Sequence, residues 1–232
     1  MKSAPLLSVI VPCFNEERTL EALVERVLAI KIPLEIIIVD DASTDGSKKV
    51  LEKIAAREPR VTPLYQDQNR GKGAALASGF KQARGVYVIV QDADLEYDPR
   101  DYPVLLKPIE EGLADVVYGS RFLGGAHRVT MFWHQVANKM LTFMTNILYD
   151  SILTDMETGY KVFRRKVIED MTIKAKRFNF EPEFTAKILK RKYRIYEVPI
   201  SFNPRDYSEG KKIKFHDAFE AVWTLIKYRF VN

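Results

Sequence analysis

Residues 86–97 decide the fold, and their sequence is V-Y-V-I-V-Q-D-A-D-L-E-Y. The apolar, β-prone residues at 86–90 predict a short buried strand that leads directly into Asp92 and Asp94. In open α/β sheets, ligands bind at the carboxyl ends of the strands. An Asp-x-Asp pair there can hold a divalent cation between its oxygens and the phosphates of a substrate, but an acidic turn before a helix has the same pattern.

The chain around this stretch alternates between predicted strands and helices. We expect strands at residues 6–11, 34–39, 61–65, 86–90 and 115–118, and helices at 19–29, 74–83, 102–111 and from a cap at 43–46 to residue 57. Pro12 is expected to end the first strand. Alternation with short connections predicts an α/β fold of the Rossmann-like type, with a mostly parallel central sheet and helices on both faces.

Polar residues follow three of the predicted strands. They are Asn15-Glu16 after the first strand, Asp40-Asp41 after the second, and Asp92 with Asp94 after the fourth. Because the carboxyl ends of parallel strands meet at one edge of a sheet, we expect these side chains to lie close together. Carboxylates that recur at one edge favour a functional site over unrelated turns.

Two long amphipathic segments, residues 129–149 and 215–230, distinguish the second half of the chain. The first contains five polar residues, which make it a poor membrane span: His134, Gln135, Asn138, Lys139 and Asn146. The second places six apolar residues on one stripe: Phe215, Phe219, Val222, Trp223, Ile226 and Phe230. Either segment can pack on the sheet or lie on a membrane surface, and the pattern leaves both alternatives open.

The bulk composition is that of a globular protein. A length of 232 residues, with 47% hydrophobic and 29% charged residues, predicts a single domain over residues 1–232 with a sizeable core. Cys13 is the only cysteine and no secretory signal is visible, so we expect a reducing, cytoplasmic compartment. From residue 187 onward lie 11 of the 36 Lys and Arg but 5 of the 31 Asp and Glu, a surplus of +6. A basic tail suits anionic lipid, a phosphorylated substrate or a solvated face.

Several common chemistries lack their motifs. Gly71-Lys72-Gly73 does not have the spacing of a phosphate-binding Walker loop, and no G-x-G-x-x-G follows the first strand. The three histidines lack metal-ligand spacing, and no G-x-S-x-G nucleophile elbow is present. Charge alone suggests nucleic acid, with no aromatic-basic motif to support it, so we expect no nucleic-acid partner.

A carboxylate-lined edge, with Arg and Lys nearby, is the chemistry that remains. Oxygen ligands suit Mg²⁺ or Mn²⁺, and such a metal on a diphosphate stabilises the charge that grows on a departing nucleotide. The available cations are Arg121, Arg128, Arg205 and Lys211. This combination predicts transfer of a group from a nucleotide-activated donor.

Several segments resemble, in order and spacing, the family 2 glycosyltransferases with a GT-A fold. The segments are S-V-I-V-P-C-F-N-E at 8–16, I-V-D-D-A-S-T-D-G at 38–46, N-R-G-K-G at 69–73 and Q-D-A-D at 91–94. Y-G-S-R-F at 118–122, L-T-D-M-E-T-G-Y-K at 153–161 and V-P-I at 198–200 also resemble the dolichol-phosphate mannose synthase branch. That branch loads a sugar onto a polyprenyl phosphate. The resemblance implies a donor-binding half at 1–125 and an acceptor half at 126–232.

Position by position, the resemblance implies the residues that contact the nucleotide sugar. They are Pro12, Phe14, Asn15, Glu16, Asp40, Asp41, Lys72, Asp92, Arg205 and Lys211. Lys72 is implied to lie near the base or ribose, and Arg205 with Lys211 to neutralise the diphosphate from a mobile loop. The base stays open between GDP-mannose and UDP-glucose.

The resemblance also implies the catalytic groups. Asp92 and Asp94 are expected to hold Mg²⁺ or Mn²⁺, with Glu96 as a further ligand where family members frequently have Gln. Transfer by a single displacement inverts the anomeric carbon. A different class of function is a non-catalytic binding module that has kept the fold. The intact pair of Asp92 and Asp94 argues against it.

The acceptor decides whether the reaction requires a base. Arg121 and Arg128 are the candidates to bind an acceptor phosphate, which is ionised near neutral pH and can attack the sugar without a base. If the acceptor is a saccharide hydroxyl, Asp155 is the best-placed base, although it can equally cap a helix. A polyprenyl phosphate implies peripheral association with a membrane surface, through residues 129–149, the basic tail, a partner subunit or a homo-oligomer.

Overall fold

The computed structural model describes residues 5–124, 132–177, 179–205 and 215–231, which contain a single seven-stranded sheet. Its strands are β1 (Leu7–Cys13), β2 (Leu34–Asp40), β3 (Val61–Tyr65), β4 (Tyr87–Val90), β5 (Val116–Ser120), β6 (Lys161–Arg164) and β7 (Ile195–Pro199). The helices are α1 (Leu20–Leu28), α2 (Ser47–Arg57), α3 (Lys72–Phe80), α4 (Tyr102–Glu110), α5 (Phe132–Tyr149), α6 (Arg165–Glu169), α7 (Phe180–Lys190) and α8 (Phe215–Phe230).

The strand order in the sheet is β3-β2-β1-β4-β6-β5-β7. Strands β3, β2, β1 and β4 are parallel to one another, β6 is antiparallel to both of its neighbours, and β7 is parallel to β5. The carboxyl ends of every strand except β6 therefore lie at one edge of the sheet. The mostly parallel sheet expected from the sequence is confirmed.

Helices cover both faces of the sheet. On one face lie α1, α2, which contacts β2 and β3, and α4, which contacts β5 and β6. On the other face lie α3, which contacts β1 and β2, and the mutually packed α7 and α8. Parallel strands buried on both faces carry continuous apolar runs, as the fully buried β2 does. The α/β class with helices on both faces is confirmed.

Strand β1 continues through Pro12, where we expected it to end. The carbonyl of Ile10 accepts from Gln91 N on the β4 side, and residues two apart in a strand face the same neighbour. Pro12 therefore faces β4, whose pairing with β1 has already stopped at Ile10 and Val90. Its missing N–H costs the ladder no hydrogen bond, and β1 stays paired with β2 as far as Cys13.

Four elements of the second half were not predicted: β6, α6, α7 and β7. Strand β6 has four residues and α6 has five, which is too short for a periodic signal. Helix α7 is buried nearly all round, including the charged Glu181, Glu183 and Lys187, so it has no amphipathic pattern. The half-exposed β7 lies at the edge of the sheet and has no fully buried residue.

The two long helices expose much of their apolar surface. On α5 only Leu141, Thr142 and Thr145 are buried, while Trp133 is 76% exposed. On α8 the predicted stripe is largely the outer face, because Trp223 is 65% exposed. The face of α8 that docks is made instead by Ala221, Thr224, Leu225 and Tyr228. Across the described ranges, no helix is both long enough and apolar enough to cross a membrane.

Candidate active site

A buried glutamine fixes the turn that carries the two central aspartates. Gln91 directly follows β4, and its Oε1 accepts from the hydroxyls of Tyr102 at 2.8 Å and Tyr160 at 2.6 Å. Its Nε2 donates to the carbonyl of Asp92 at 3.0 Å. A buried amide with satisfied donors and acceptors holds one orientation. The backbone therefore enters Asp92 and Asp94 in a defined geometry.

Lys72, the first residue of α3, forms an ion pair with Asp92. Its Nζ lies 2.9 Å from Asp92 Oδ1 and 3.1 Å from Oδ2, and 2.8 Å from Oε1 of Glu181 on α7. Burial alone would lower the pKa of the ammonium, but Asp92 and Glu181 outweigh it and raise the pKa well above its ordinary value. Lys72 is a permanent cation against Asp92.

Arg205 reaches the same edge from the last third of the chain. Its NH1 and NH2 lie 3.2 and 3.1 Å from the two carboxylate oxygens of Glu16, and NH2 lies 3.2 Å from Asp94 Oδ2. Its main-chain N–H donates to Glu96 Oε1 at 2.8 Å. Three carboxylates from two strand ends thus surround one guanidinium. The sequence-predicted residues Glu16, Asp94, Glu96 and Arg205 are brought together.

Asp94 lies in a crowded acidic environment. Burial, followed by the charges of Asp92 and Glu96, raises the pKa of Asp94 to about 7 against the opposing effect of Arg205. A cation would relieve the repulsion among these carboxylates, and the oxygen ligands of Asp92 and Asp94 fit a divalent metal. Within the ranges that the structure describes, no three His, Cys, Asp or Glu side chains converge as a complete metal-binding group.

Side chains after β1 and β2 fix the neighbouring loops. Asp41 accepts the N–H groups of Arg70 at 2.8 Å and Gly71 at 2.7 Å. Burial raises its pKa, and these two hydrogen bonds oppose the rise. The Asn15 side chain accepts the Thr44 N–H at 2.8 Å, which joins the loop after β1 to the loop after β2. Asn15 and Asp41 therefore hold the neighbouring loops in place by accepting their main-chain N–H groups.

Arg121 and Asp155 form a buried, bidentate ion pair beside the acidic turn. Arg121 Nε and NH2 lie 2.7 Å from Asp155 Oδ2 and Oδ1, and the Arg121 main-chain N–H donates to Oδ2 at 3.0 Å. The Asp155 side chain is fully buried and that of Arg121 is 11% exposed. Glu197 on β7 accepts the N–H groups of Thr154 and Asp155, which orients the carboxylate towards Arg121. Both oxygens of Asp155 are therefore engaged.

The comparison with known families decides the classification. Residues 8–172 match the model described as glycosyl transferase family 2. The chain belongs to this family.

Curated relatives of this glycosyltransferase cover most of its length. It is 31% identical to the polyprenol monophosphomannose synthase of Mycolicibacterium smegmatis over 88% of this chain and 79% of the relative. It is 30% identical to a low-salt glycan biosynthesis hexosyltransferase of Haloferax volcanii over 99% of this chain and 54% of the relative. It is 30% identical to the dolichol-phosphate mannosyltransferase of Pyrococcus furiosus over 96% of this chain and 64% of the relative. The chain thus spans only part of its relatives' length.

Solved structures confirm the fold of this glycosyltransferase. Glucosyl-3-phosphoglycerate synthase from Mycobacterium tuberculosis, crystallised with Mn²⁺, UDP and phosphoglyceric acid, superposes with a TM-score of 0.76 at 18% identity. The alignment covers 100% of this chain and 81% of that one. The crystal form with Mn²⁺, UDP-glucose and phosphoglyceric acid gives a TM-score of 0.77. At this identity the likeness concerns the fold alone, and the expected GT-A fold is confirmed.

Two predicted site residues, Arg128 and Lys211, lie outside the described residues. The sequence missed four others: Glu157, Gly159, Glu181 and Glu197. Glu157 and Gly159 lie in the segment at 153–161 that resembles the family, so their positions could have been found from the sequence, although not their contacts. Glu181 and Glu197 lie on α7 and β7, which the sequence did not reveal. Lys72 was expected near the base or ribose, and its contact with Asp92 was not predicted.

Gly159 gives the Asp92 carboxylate its space, so Gly159→Ala is expected to impair the site without unfolding the protein. A Cβ at residue 159 would lie 2.5 Å from Asp92 Oδ2 and 2.9 Å from the Tyr97 ring. Because the side-chain end of Asp92 moves more easily than a backbone, the carboxylate should be displaced. We expect the apparent affinity for Mn²⁺ plus UDP or GDP to fall about tenfold, a cost of about 1.4 kcal/mol, measured by calorimetric titration. An unchanged affinity would contradict this account of Gly159.

A buried carboxyl in the same region predicts a pH-dependent stability. Burial, followed by the charge of Glu181, raises the pKa of Glu157 to about 8, and Lys161 opposes the rise. Between the unfolded pKa near 4.5 and the folded value near 8, the folded state holds a proton that the unfolded state has lost. Folding stability from Glu157 is therefore present below about pH 4.5 and decreases as the pH rises towards 8.

Glu157→Gln removes this titration, so we expect the variant to gain stability relative to the wild type as the pH rises from 5 to 8. The free energy of unfolding is measured by urea denaturation of both proteins at pH 5, 6, 7 and 8. Glu169→Gln, which changes an exposed carboxylate on α6, serves as the control and should give a difference that does not vary with pH. A constant difference for Glu157→Gln as well would refute the prediction.

Proposed function

We propose that this chain transfers a hexose, mannose or glucose, from a nucleoside diphosphate sugar to the phosphate of a polyprenyl phosphate. The observation that carries the proposal is the pair Asp92 and Asp94 at the carboxyl edge of the sheet, bracketed by the cations Lys72 and Arg205. Such an edge suits a ligand that carries a diphosphate and a metal. Relatives named for polyprenol and dolichol phosphate mannose transfer support the acceptor class.

The nucleoside is proposed to bind between the loops after β1 and β2, in the donor half at residues 1–125. Asp40 is 3% exposed, and its Oδ1 is a buried acceptor with no hydrogen-bond partner among the residues described. An N–H group of a nucleobase would satisfy it. Pro12 and Phe14, at the end of β1, are expected to contact the same nucleoside. Guanine and uracil, as in GDP-mannose and UDP-glucose, both offer such a donor.

Asp92 and Asp94 are the residues proposed to hold Mg²⁺ or Mn²⁺ together with the donor. When bound, the cation would neutralise charge on the diphosphate as the sugar leaves. The chain's own contribution is positional: Gln91 fixes the turn, Lys72 orients Asp92, and Arg205 supplies a guanidinium for phosphate oxygens. Glu96 as a third ligand and Lys211 as a second diphosphate cation stay predictions.

The acceptor phosphate is proposed to bind near Arg121, with Arg128 as its expected partner. Arg121 follows β5 at the same edge and stacks on Phe202, whose ring centroid is 5.1 Å from the guanidinium carbon. An ionised phosphate can attack the anomeric carbon directly, with inversion and without a base. Asp155 supports this route, because its oxygens are occupied by Arg121 and its side chain is buried. The same contacts argue against Asp155 as the base for a saccharide hydroxyl.

Peripheral attachment to the cytoplasmic membrane face is proposed to use the exposed apolar surface of α5 and α8. The two helices pack against each other, and both carry large apolar residues that are exposed. The residues are Phe132, Trp133, Phe143 and Ile147 on α5, and Phe219, Trp223 and Phe230 on α8. Exposed aromatic clusters of this kind suit the interfacial layer of a bilayer.

The double substitution Trp133→Ala/Trp223→Ala is expected to weaken membrane binding. In a flotation assay with anionic liposomes that contain polyprenyl phosphate, we expect the bound fraction to fall about tenfold, because each Trp buries a large apolar area on binding. Val104→Ala alters an exposed apolar residue on the opposite face of the sheet and serves as the control. Equal flotation of all three proteins would exclude these helices as the attachment surface.

A donor panel tests the function. Radiolabelled GDP-mannose, UDP-glucose and further nucleotide sugars are incubated with the protein, Mg²⁺ or Mn²⁺ and a polyprenyl phosphate, and label extracted into organic solvent is counted. Label in the organic phase with one donor supports the proposal. Metal-dependent protection by UDP or GDP in a thermal shift, without transfer, points to another acceptor. Absence of both would favour a non-catalytic scaffold.

A further inference from the structure

The motif Gly71-Lys72-Gly73 brings two helix starts together behind the acidic turn. A Cβ at residue 73 would lie 2.5 Å from the carbonyl oxygen of Ala175, and a Cβ at residue 71 would clash with that of Lys176. The Lys176 carbonyl also accepts from Ala74 N at 3.1 Å. Only glycine at both positions lets the segment at 175–177 approach so closely. The first turn of α7, with Glu181, is thereby placed over Lys72.

From this arrangement we infer that Glu181 is a positioning residue, which sets the charge that Asp92 presents to a bound metal and donor. The inference rests on the proposed function. Glu181 acts through Lys72, since Lys72 Nζ lies 2.8 Å from Glu181 Oε1 and 2.9 Å from Asp92 Oδ1. The side chains of Lys72, Asp92 and Glu181 are 16%, 18% and 6% exposed, so solvent screens their charges only weakly.

The charge balance of this group explains why a second carboxylate is required. Asp92 and Lys72 alone sum to zero, and a permanent ammonium with one partner would neutralise the carboxylate that a metal requires. Glu181 shares the ammonium, so the three groups together keep one net negative charge. Lys72 then orients Asp92 without cancelling it.

Glu181→Gln tests the inference because it removes the charge while the amide oxygen can still accept from Lys72. Mn²⁺ is titrated into each protein with saturating UDP, and separately GDP, and free Mn²⁺ is measured by electron paramagnetic resonance. We expect Glu181→Gln to weaken Mn²⁺ binding by about tenfold or more, since charges several Å apart interact strongly at an effective dielectric constant near 20. Glu169→Gln, the same charge change on exposed α6, should leave the affinity unchanged.

The double variant Lys72→Met/Glu181→Gln separates charge from structure. Asp92 alone again gives one net negative charge, so we expect Mn²⁺ affinity to return to within about threefold of the wild type. A merely structural role for Glu181 predicts that the double variant is at least as impaired as the single one. If Glu181→Gln does not fold, the double variant still tests the inference, because an affinity more than about threefold below that of the wild type overturns it.

The outcomes are distinguishable from failure of the proposed function. Wild-type protein that binds Mn²⁺ with UDP or GDP, together with a Glu181→Gln variant of equal affinity, overturns this inference and leaves the proposed function intact. A weakened single variant that the double variant does not restore also overturns it. Wild-type protein that binds no Mn²⁺ with either nucleotide overturns the inference together with the metal-dependent step of the proposed function.

Discussion

Asp94→Asn is expected to lower the rate of sugar transfer by a factor of about 10² to 10³, the range for loss of one preorganised electrostatic contact to a developing charge. Asp94 is placed for this role by Arg205 at 3.2 Å and by the fixed turn after β4. The substitution is nearly isosteric, and it also relieves repulsion among Asp92, Asp94 and Glu96. The folded protein should therefore be at least as stable as the wild type, while transfer is lost.

The measurement uses the donor and acceptor that the panel identifies, with label extracted into organic solvent as the readout. Asp67→Asn, an exposed aspartate in the loop after β3, is the matched control and should retain full activity. Thermal unfolding of both variants reports their stability. Full turnover by Asp94→Asn would remove the mechanism while leaving the fold and the family untouched.

Arg121→Met is expected to lower the free energy of unfolding by about 3–5 kcal/mol, because it leaves the fully buried Asp155 carboxylate without its bidentate partner. Asp155→Asn should cost a similar amount for the reciprocal reason. The double variant Arg121→Met/Asp155→Asn removes both charges, so we expect it to lose less than the sum of the single variants. Urea denaturation followed by circular dichroism gives the three values.

A surface pair of the same geometry provides the control. Arg194 and Asp115 also pair through two contacts, Nε to Oδ2 at 3.0 Å and NH2 to Oδ1 at 2.9 Å, but the Arg194 side chain is 56% exposed. Arg194→Met should therefore cost no more than about 1 kcal/mol. If Arg121→Met costs as little, burial does not determine the strength of the Arg121–Asp155 pair.

The first part of the sheet and its acidic edge could be predicted because their signals are local. The apolar runs of β1, β2 and β4 end in polar residues, and parallel topology then brings those ends together. The parallel topology predicted that Glu16 and Asp94 lie close together, and only the family resemblance pointed to Arg205. The structure places Arg205 within ion-pair distance of both. The sequence could not show which contacts each side chain makes. Asp155, the candidate base, is buried with both oxygens bound by Arg121.

Other features depend on contacts between distant segments. Strand β6 inserts antiparallel between β4 and β5 with only four residues, and no periodicity of its own marks it. Helix α7 buries charged residues, which reverses the usual pattern. Glu181 belongs to the site only because two glycines admit the segment at 175–177. The apolar stripe of α8 left docking and membrane contact both open, because apolar periodicity does not state which side of a helix is covered.

The ion pair between Arg205 and Glu16 joins residues 189 positions apart in the chain. During synthesis on the ribosome, strands β1 to β4 emerge first, and their acidic loops remain without this guanidinium until the last third has been made. Closure over so long a separation is entropically costly and slow, so the site is among the last parts to assemble. The acidic edge therefore gains its Arg205 guanidinium only after residue 205 has left the ribosome.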